Sequence, residues 1–251
     1  MREFLYKGNT LPEAYHAALV GLNRDGEMTD CPDWNCTQKE ISATLFVEHP
    51  LGEPMISACI PCDYASLEQY RQEMLDGILD FEIARGNWEY TYHNRMVDYG
   101  GKNQIDFVVE ELKRNPYSRR AVIDVRRESD MYTSDPACLQ HIQFFIRNEK
   151  LDCCVLFRSN DCVKAMYMNA FAIIMIQKKV ADALGIEVGT YSHRANSCHC
   201  YESDYALLKA YAKRIENGDE LAYYYEGDWK DNMEDEKEAI AAKVEKLKNQ
   251  K

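Results

Sequence analysis

The chain has no apolar run long enough to cross a bilayer; the longest, around Ala165 to Ile176, is short and interrupted by polar residues. It shows no apolar leader after Met1-Arg2-Glu3-Phe4, so the expectation is a cytoplasmic protein without a membrane partner. It also lacks any surplus of positive charge. Against 42 acidic residues stand 30 lysines and arginines, a formal charge of -12. Holding a nucleic-acid backbone rests on neutralising phosphates with a basic surface, so nucleic acid is not an expected partner. A mononucleotide is a different matter, because it needs only a few arginines in one place.

Metal ligands are short as well. Cys59-Ile60-Pro61-Cys62 is half of a zinc site, but no second CxxC and no HxxxH accompany it. Cys153-Cys154 and Cys198-x-Cys200 are the only other clusters. The ten cysteines are spread through an ordinary core composition, which predicts mostly buried thiols and no metal. A cysteine-rich metal-binding or interaction module is the alternative of another class.

What is present is a globular composition, 46% hydrophobic and 29% charged over 251 residues, which predicts a single domain over residues 1–251. Thr10-x-x-Glu13 with Pro12 predicts a capped helix ending between Gly21 and Gly26. Thr29 to Thr37 has loop composition. Ser42 to His49 and Pro54 to Ile60 read as strands joined at Pro50-Leu51-Gly52-Glu53. Helices are predicted over Leu67 to Leu79, Asn103 to Asn115, Asn169 to Gly185 and Asp204 to Ile215, and a charged one over 233–248. Ala121 to Val125 is of strand length, and His141 to Arg147 with Leu151 to Phe157 alternates as a hairpin about Asn148-Glu149-Lys150. Tyr223-Tyr224-Tyr225 and Trp229 form an aromatic patch.

The stretch from Asp135 to Tyr201 carries the chemistry. Cys138 is a soft nucleophile, and the hairpin would return Arg158 beside it, a cation that favours the thiolate. Arginine also binds phosphate through a planar fork. Asn169 offers one donor and one acceptor, which matches O4 and N3-H of uracil. His199 and Tyr201, two apart on an extended chain, face one side and could share a sugar hydroxyl.

Cys138, Arg158-Ser159-x-Asp161, Asn169 and His199-x-Tyr201 stand in the order and nearly at the spacings of thymidylate synthases, and Asn115-Pro116-Tyr117-Ser118-Arg119-Arg120 resembles that family's Asn/Asp-Pro-x-Ser-Arg-Arg signature. The resemblance covers about residues 100 to 205 and is shared with the nucleotide hydroxymethylases. It implies an α+β fold, a mixed, twisted β-sheet covered by helices. It also implies transfer of a one-carbon unit from 5,10-methylenetetrahydrofolate, or a tetrahydropterin relative, to C5 of a pyrimidine nucleotide monophosphate. The reaction expected first is dUMP to dTMP, with 5-hydroxymethylation of dUMP, dCMP or CMP as the alternative.

By the same resemblance Cys138, Glu73, Tyr92, Asp161 and Asn169 are catalytic, with Glu68 a second choice for the base. Arg119, Arg120, Arg158, Ser159, Asn169, His199 and Tyr201 bind the nucleotide, and Trp88 and Asp161 meet the folate. Arg119 and Arg120 would cross a homodimer interface to the partner's phosphate. Leu139 stands where the family usually has histidine, and Trp88 to Thr91 replace smaller family residues. The loop near Thr29 lacks the family's phosphate arginine, leaving Arg24 and Lys39 as the nearest cations.

Overall fold

Along one strand Ile41, Ala43, Leu45 and Val47 are buried, while Thr44 and Phe46 between them are only half-buried. This period of two gives a sheet with one face packed and one face open. The computed structural model describes residues 1–219, 222 and 228–250. In chain order its elements are β1 (Glu3–Gly8), α1 (Leu11–Asp25), β2 (Glu27–Cys31), β3 (Cys36–Val47), α2 (Tyr64–Asp76), α3 (Phe81–Ala84), α4 (Tyr92–Val97) and α5 (Gln104–Arg114). There follow β4 (Val122–Asp124), β5 (Leu139–Arg147), β6 (Lys150–Asp161), α6 (Met166–Leu184), β7 (Glu187–Tyr201), α7 (Tyr205–Glu216), α8 (Trp229–Asp235) and α9 (Lys237–Asn249).

The strands form one twisted sheet in the order β1-β3-β7-β6-β5-β4, with β2 paired to β3. Pairing is parallel between β1 and β3 and between β6 and β7, and antiparallel elsewhere, so the sheet is mixed and the fold is α+β. Helix α6 is apolar almost all round, with Phe171, Ile173, Ile174 and Ile176 fully buried, as a helix laid across the centre of a sheet must be. The same core takes in Leu11, Leu19 and Leu22 of α1 and Val108 and Leu112 of α5. On the open face Thr190, Ser192 and Arg194 of β7, Leu156 of β6 and Gln143 and Phe145 of β5 are half-buried, and Cys154 is exposed.

Several expectations change. Glu13 is bonded to the Asn9 amide at 2.6 Å, while Thr10 makes no capping bond. The loop predicted around Thr29 to Thr37 is a hairpin, with Cys31 opposite Cys36. Pro54 to Ile60 is not a strand, because side chains take its backbone bonds: the Tyr167 hydroxyl donates to Met55 O at 2.5 Å and accepts from Ser57 N at 3.1 Å, and Ser57 Oγ accepts from Cys59 N at 2.9 Å. The predicted helix at 67–79 is α2, shifted toward the N-terminus; Asp63 caps it, and Gly77 ends it at φ 64°, where a Cβ would lie 2.2 Å from His93 Nδ1. Asn169 lies in the first turn of α6, not at its cap. The charged helix of 233–248 is broken at Glu236 into α8 and α9. Tyr223-Tyr224-Tyr225 lie outside the described residues.

Candidate active site

Register decides which side chains meet. Leu139 pairs with Phe157, Asp161 with His199 and Tyr201 with Gln38. The start of β5, the ends of β6 and β7 and the start of β3 therefore share one end of the sheet. That end carries Cys138, Arg158, Ser159, Asp161, His199 and Tyr201, and the turn out of β6 brings Asn169 there on α6.

Arg158 holds the loop that presents Cys138. Its amide donates to Cys138 O at 2.8 Å, and its guanidinium donates to Ala137 O at 3.1 Å and to Pro136 O at 2.5 Å. Burial pushes the Cys138 thiol above its ordinary value; Arg158 pulls it down, and Asp135 adds to the rise. The arginine is where the motif spacing put it, but the loss of water outweighs it, contrary to the expectation of a favoured thiolate.

Asn169 is buried, and its Oδ1 accepts a hydrogen bond from the Tyr70 hydroxyl. The Tyr92 hydroxyl accepts from Leu139 N at 3.4 Å, next to the thiol. Burial raises both phenols well above their usual value, and pushes Tyr90 up to about 12 with the charge of Cys138 as the next cause. These tyrosines stay neutral donors over any physiological range.

Ser159 Oγ lies 3.3 Å from His199 Nδ1, whose ring stands edge-on to Tyr201 at 4.8 Å. The other nitrogen of His199, Nε2, is buried and has no hydrogen-bond partner among the described residues. Burial lowers the His199 pKa, so the ring is neutral near pH 7 although Asp161 works the other way. Asp161 Oδ1 accepts from the amides of Val163 (2.9 Å) and Lys164 (3.0 Å), which fixes the turn that launches α6. Burial raises the Asp161 carboxyl.

Beside this group lies a cleft of about 440 Å³ lined by Tyr70, Glu73, Trp88, Tyr90, Tyr92 and Asp135, among others. Trp88 is 43% exposed on its wall. Burial raises the Glu73 carboxyl, and Gln69 Nε2 donates to it at 2.7 Å. Glu68 is taken up within its own helix by Arg71 (2.7 Å) and Gln72 (2.9 Å), so Glu73 is the glutamate of α2 left facing the cleft.

Arg119 and Arg120 stay outside this group. Both are exposed ahead of β4, and Arg120 lines a separate depression with Phe107 and Asp124. Arg24 is paired to Asp25 at 2.7 Å and Lys39 donates to Asn23 O at 3.0 Å. Among the described residues no three His, Cys, Asp or Glu gather as a metal-holding group. Tyr70, Tyr90 and Gln69 were not singled out by the motifs; their spacing from Glu73 along one helix face was the available signal for Tyr70 and Gln69.

Residues 64–240 match the sequence profile described as thymidylate synthase. A Methanocaldococcus jannaschii protein whose name places it provisionally among the thymidylate synthases is 31% identical over 82% of this chain and 94% of its own length. A similarly named protein of Methanosarcina mazei is 32% identical over 84% of this chain and 95% of its own length. Among solved structures, thermostable thymidylate synthase A from Bacillus subtilis superposes with a TM-score of 0.65 at 16% identity, over 81% of this chain and 84% of that one.

Proposed function

The chain belongs to the thymidylate synthase family, and from that premise we propose that it converts dUMP to dTMP, with residues 1–251 acting as one cytoplasmic catalytic unit. The observation that carries the reading is the gathering of Cys138, Arg158, Asn169, His199 and Tyr201 at one sheet end, next to a cleft holding Glu73.

In this reading Arg158 and Ser159 take the phosphate, while His199 Nε2 and the Tyr201 hydroxyl take the sugar. Asn169 keeps two Nδ2 hydrogens for O4 and a second lone pair of Oδ1 for N3-H, the first being used by Tyr70. Cys138 adds as thiolate to C6, and charge develops on O4, where the Asn169 amide stabilises it. C5 becomes nucleophilic and would take up the carrier's methylene, whose bond to the carrier nitrogen would break once the C5 proton has left. Glu73, whose burial raises its affinity for a proton, receives the C5 proton through water, with Tyr92 assisting. Expulsion of the Cys138 sulfur then restores the ring.

The carrier, 5,10-methylenetetrahydrofolate or a tetrahydropterin relative, supplies the methylene and, for a methyl product, the hydride. Trp88, Tyr90 and Tyr92 give the cleft flat walls and Asp135 a hydrogen-bonding edge, which suit a pterin ring. Asp161 acts by holding the turn ahead of Asn169. The open sheet face supports a homodimer, since one layer of half-buried side chains needs a cover, and Arg158 shares the strand parity of Cys154 and Leu156 on that face. Arg119 and Arg120 of each protomer would then reach the phosphate held by its partner.

The test is release of tritium from C5 of deoxyuridylate in the presence of methylenetetrahydrofolate, with the product mass separating a methyl from a hydroxymethyl group. A hydroxymethyl product would replace thymidylate synthesis by hydroxymethylation. No release from deoxyuridylate or deoxycytidylate would remove both.

A further inference from the structure

We propose that Lys243 of α9 is a positioning residue which, through Gln69, holds the Glu73 carboxylate toward the cleft. The inference rests on the assignment of Glu73 as the base and extends it to the C-terminal helix.

The geometry is a three-residue relay. Lys243 Nζ donates to Gln69 Oε1 at 2.6 Å, and Gln69 Nε2 donates to Glu73 Oε1 at 2.7 Å. An amide can flip end for end, and in isolation Gln69 would offer Glu73 either its NH₂ or its oxygen. An ammonium group only donates, so Lys243 binds the oxygen and commits the NH₂ to the carboxylate. Helix α9 is itself held on its seat. Ile240 and Val244 pack with Leu79, and Arg85 donates to the carbonyls of Leu247 (2.8 Å) and Lys248, the last turn of the helix.

Charge works in the same direction. Burial raises the Glu73 carboxyl, while the Gln69 bond and Lys243 lower it. The other groups facing this cleft are Tyr70, Tyr90, Tyr92, Asp80, Glu89 and Asp135. Asp80 is bonded to His93 at 2.7 Å and to the Thr91 hydroxyl. Lys243 is the cation whose charge lowers the Glu73 carboxyl against the rise from burial.

The experiment is the pH profile of C5 tritium release by Lys243→Met, which keeps the stem and removes the charged donor. The expected result is a kcat lower by about three- to tenfold, an acid limb displaced upward by about half a pH unit, and a nucleotide KM within twofold of wild type. Lys243→Arg should return the limb toward its original place. Val244→Ala loosens the same helix without touching the relay and should leave the limb where it was. An unchanged limb and kcat in Lys243→Met would overturn the proposal, as would a Val244→Ala limb displaced equally far. Glu73→Gln separates the two levels: turnover retained in that variant would mean the base itself was misassigned.

Discussion

At the scale of single residues the site is a contest between burial and charge. Cys138 sits under Arg158, yet lies deep enough that its thiol is harder to ionise than one in water. Its sulfur is therefore kept for a partner that arrives, rather than spent on solvent. Cys138→Ser should lower turnover by roughly 10³-fold or more, because a hydroxyl without an adjacent base is a poor nucleophile. Nucleotide affinity, measured by calorimetry, should stay within a few-fold, since in the proposed reaction the sulfur would bond to C6 and not to the phosphate or sugar. A large loss of affinity would place Cys138 in binding instead.

At the scale of elements, the loop that ends at Cys138 begins at a buried ion pair. Arg95 of α4 donates to Asp130 at 2.7 Å, and Asp130 also accepts from the Arg127 amide at 2.9 Å; the two side chains are 6% and 0% exposed. Removing one partner of a buried pair leaves an unpaired charge. Asp130→Ala should cost about 3–5 kcal/mol in urea unfolding. It should also slow turnover by loosening the loop that runs from Arg127 to Cys138. How far such elements could be read from residues alone varied with how local their causes are. α1, α5 and the β5–β6 hairpin follow from apolar period, the Asn103 cap of α5 and turn chemistry within a few positions, and the motif residues Cys138, Arg158 and His199 fall at one end of the sheet because register puts them there. β1 has no such signature, because its partner, β3, lies more than thirty positions away and pairs in parallel. The Pro54 to Ile60 segment has strand composition but surrenders its hydrogen bonds to Tyr167 and Ser57, a tertiary outcome. Tyr70 escaped notice for the same reason, since its partner Asn169 belongs to another helix.

At the scale of the whole molecule, acid should unfold it before most carboxylates are protonated. His16 and His193 are buried, and burial lowers their pKa to about 4 and about 3. A histidine whose folded pKa lies below its unfolded value of about 6.5 adds stability above that value and loses it as pH falls toward the folded one. The raised carboxyls of Glu73 and Asp161 act in the opposite sense. The melting temperature should fall by about 10 °C or more between pH 7 and pH 4, and His193→Gln should flatten that slope. If sites are shared between subunits, mixing inactive Arg119→Ala and Cys138→Ser protomers should restore up to about a quarter of wild-type activity, by random reassortment into dimers with one complete site. No recovery would confine each site to its own chain.

Among the described residues the sheet has one face packed under helices and one face lined by half-buried side chains. If a second copy covers that second face, a dilute solution deprives each chain of part of its interior, and the heat needed to melt it becomes a function of how crowded it is. Scans at nanomolar and at micromolar protein should then give different midpoints, the lower at the lower concentration, while a chain complete in itself would melt at one temperature in both.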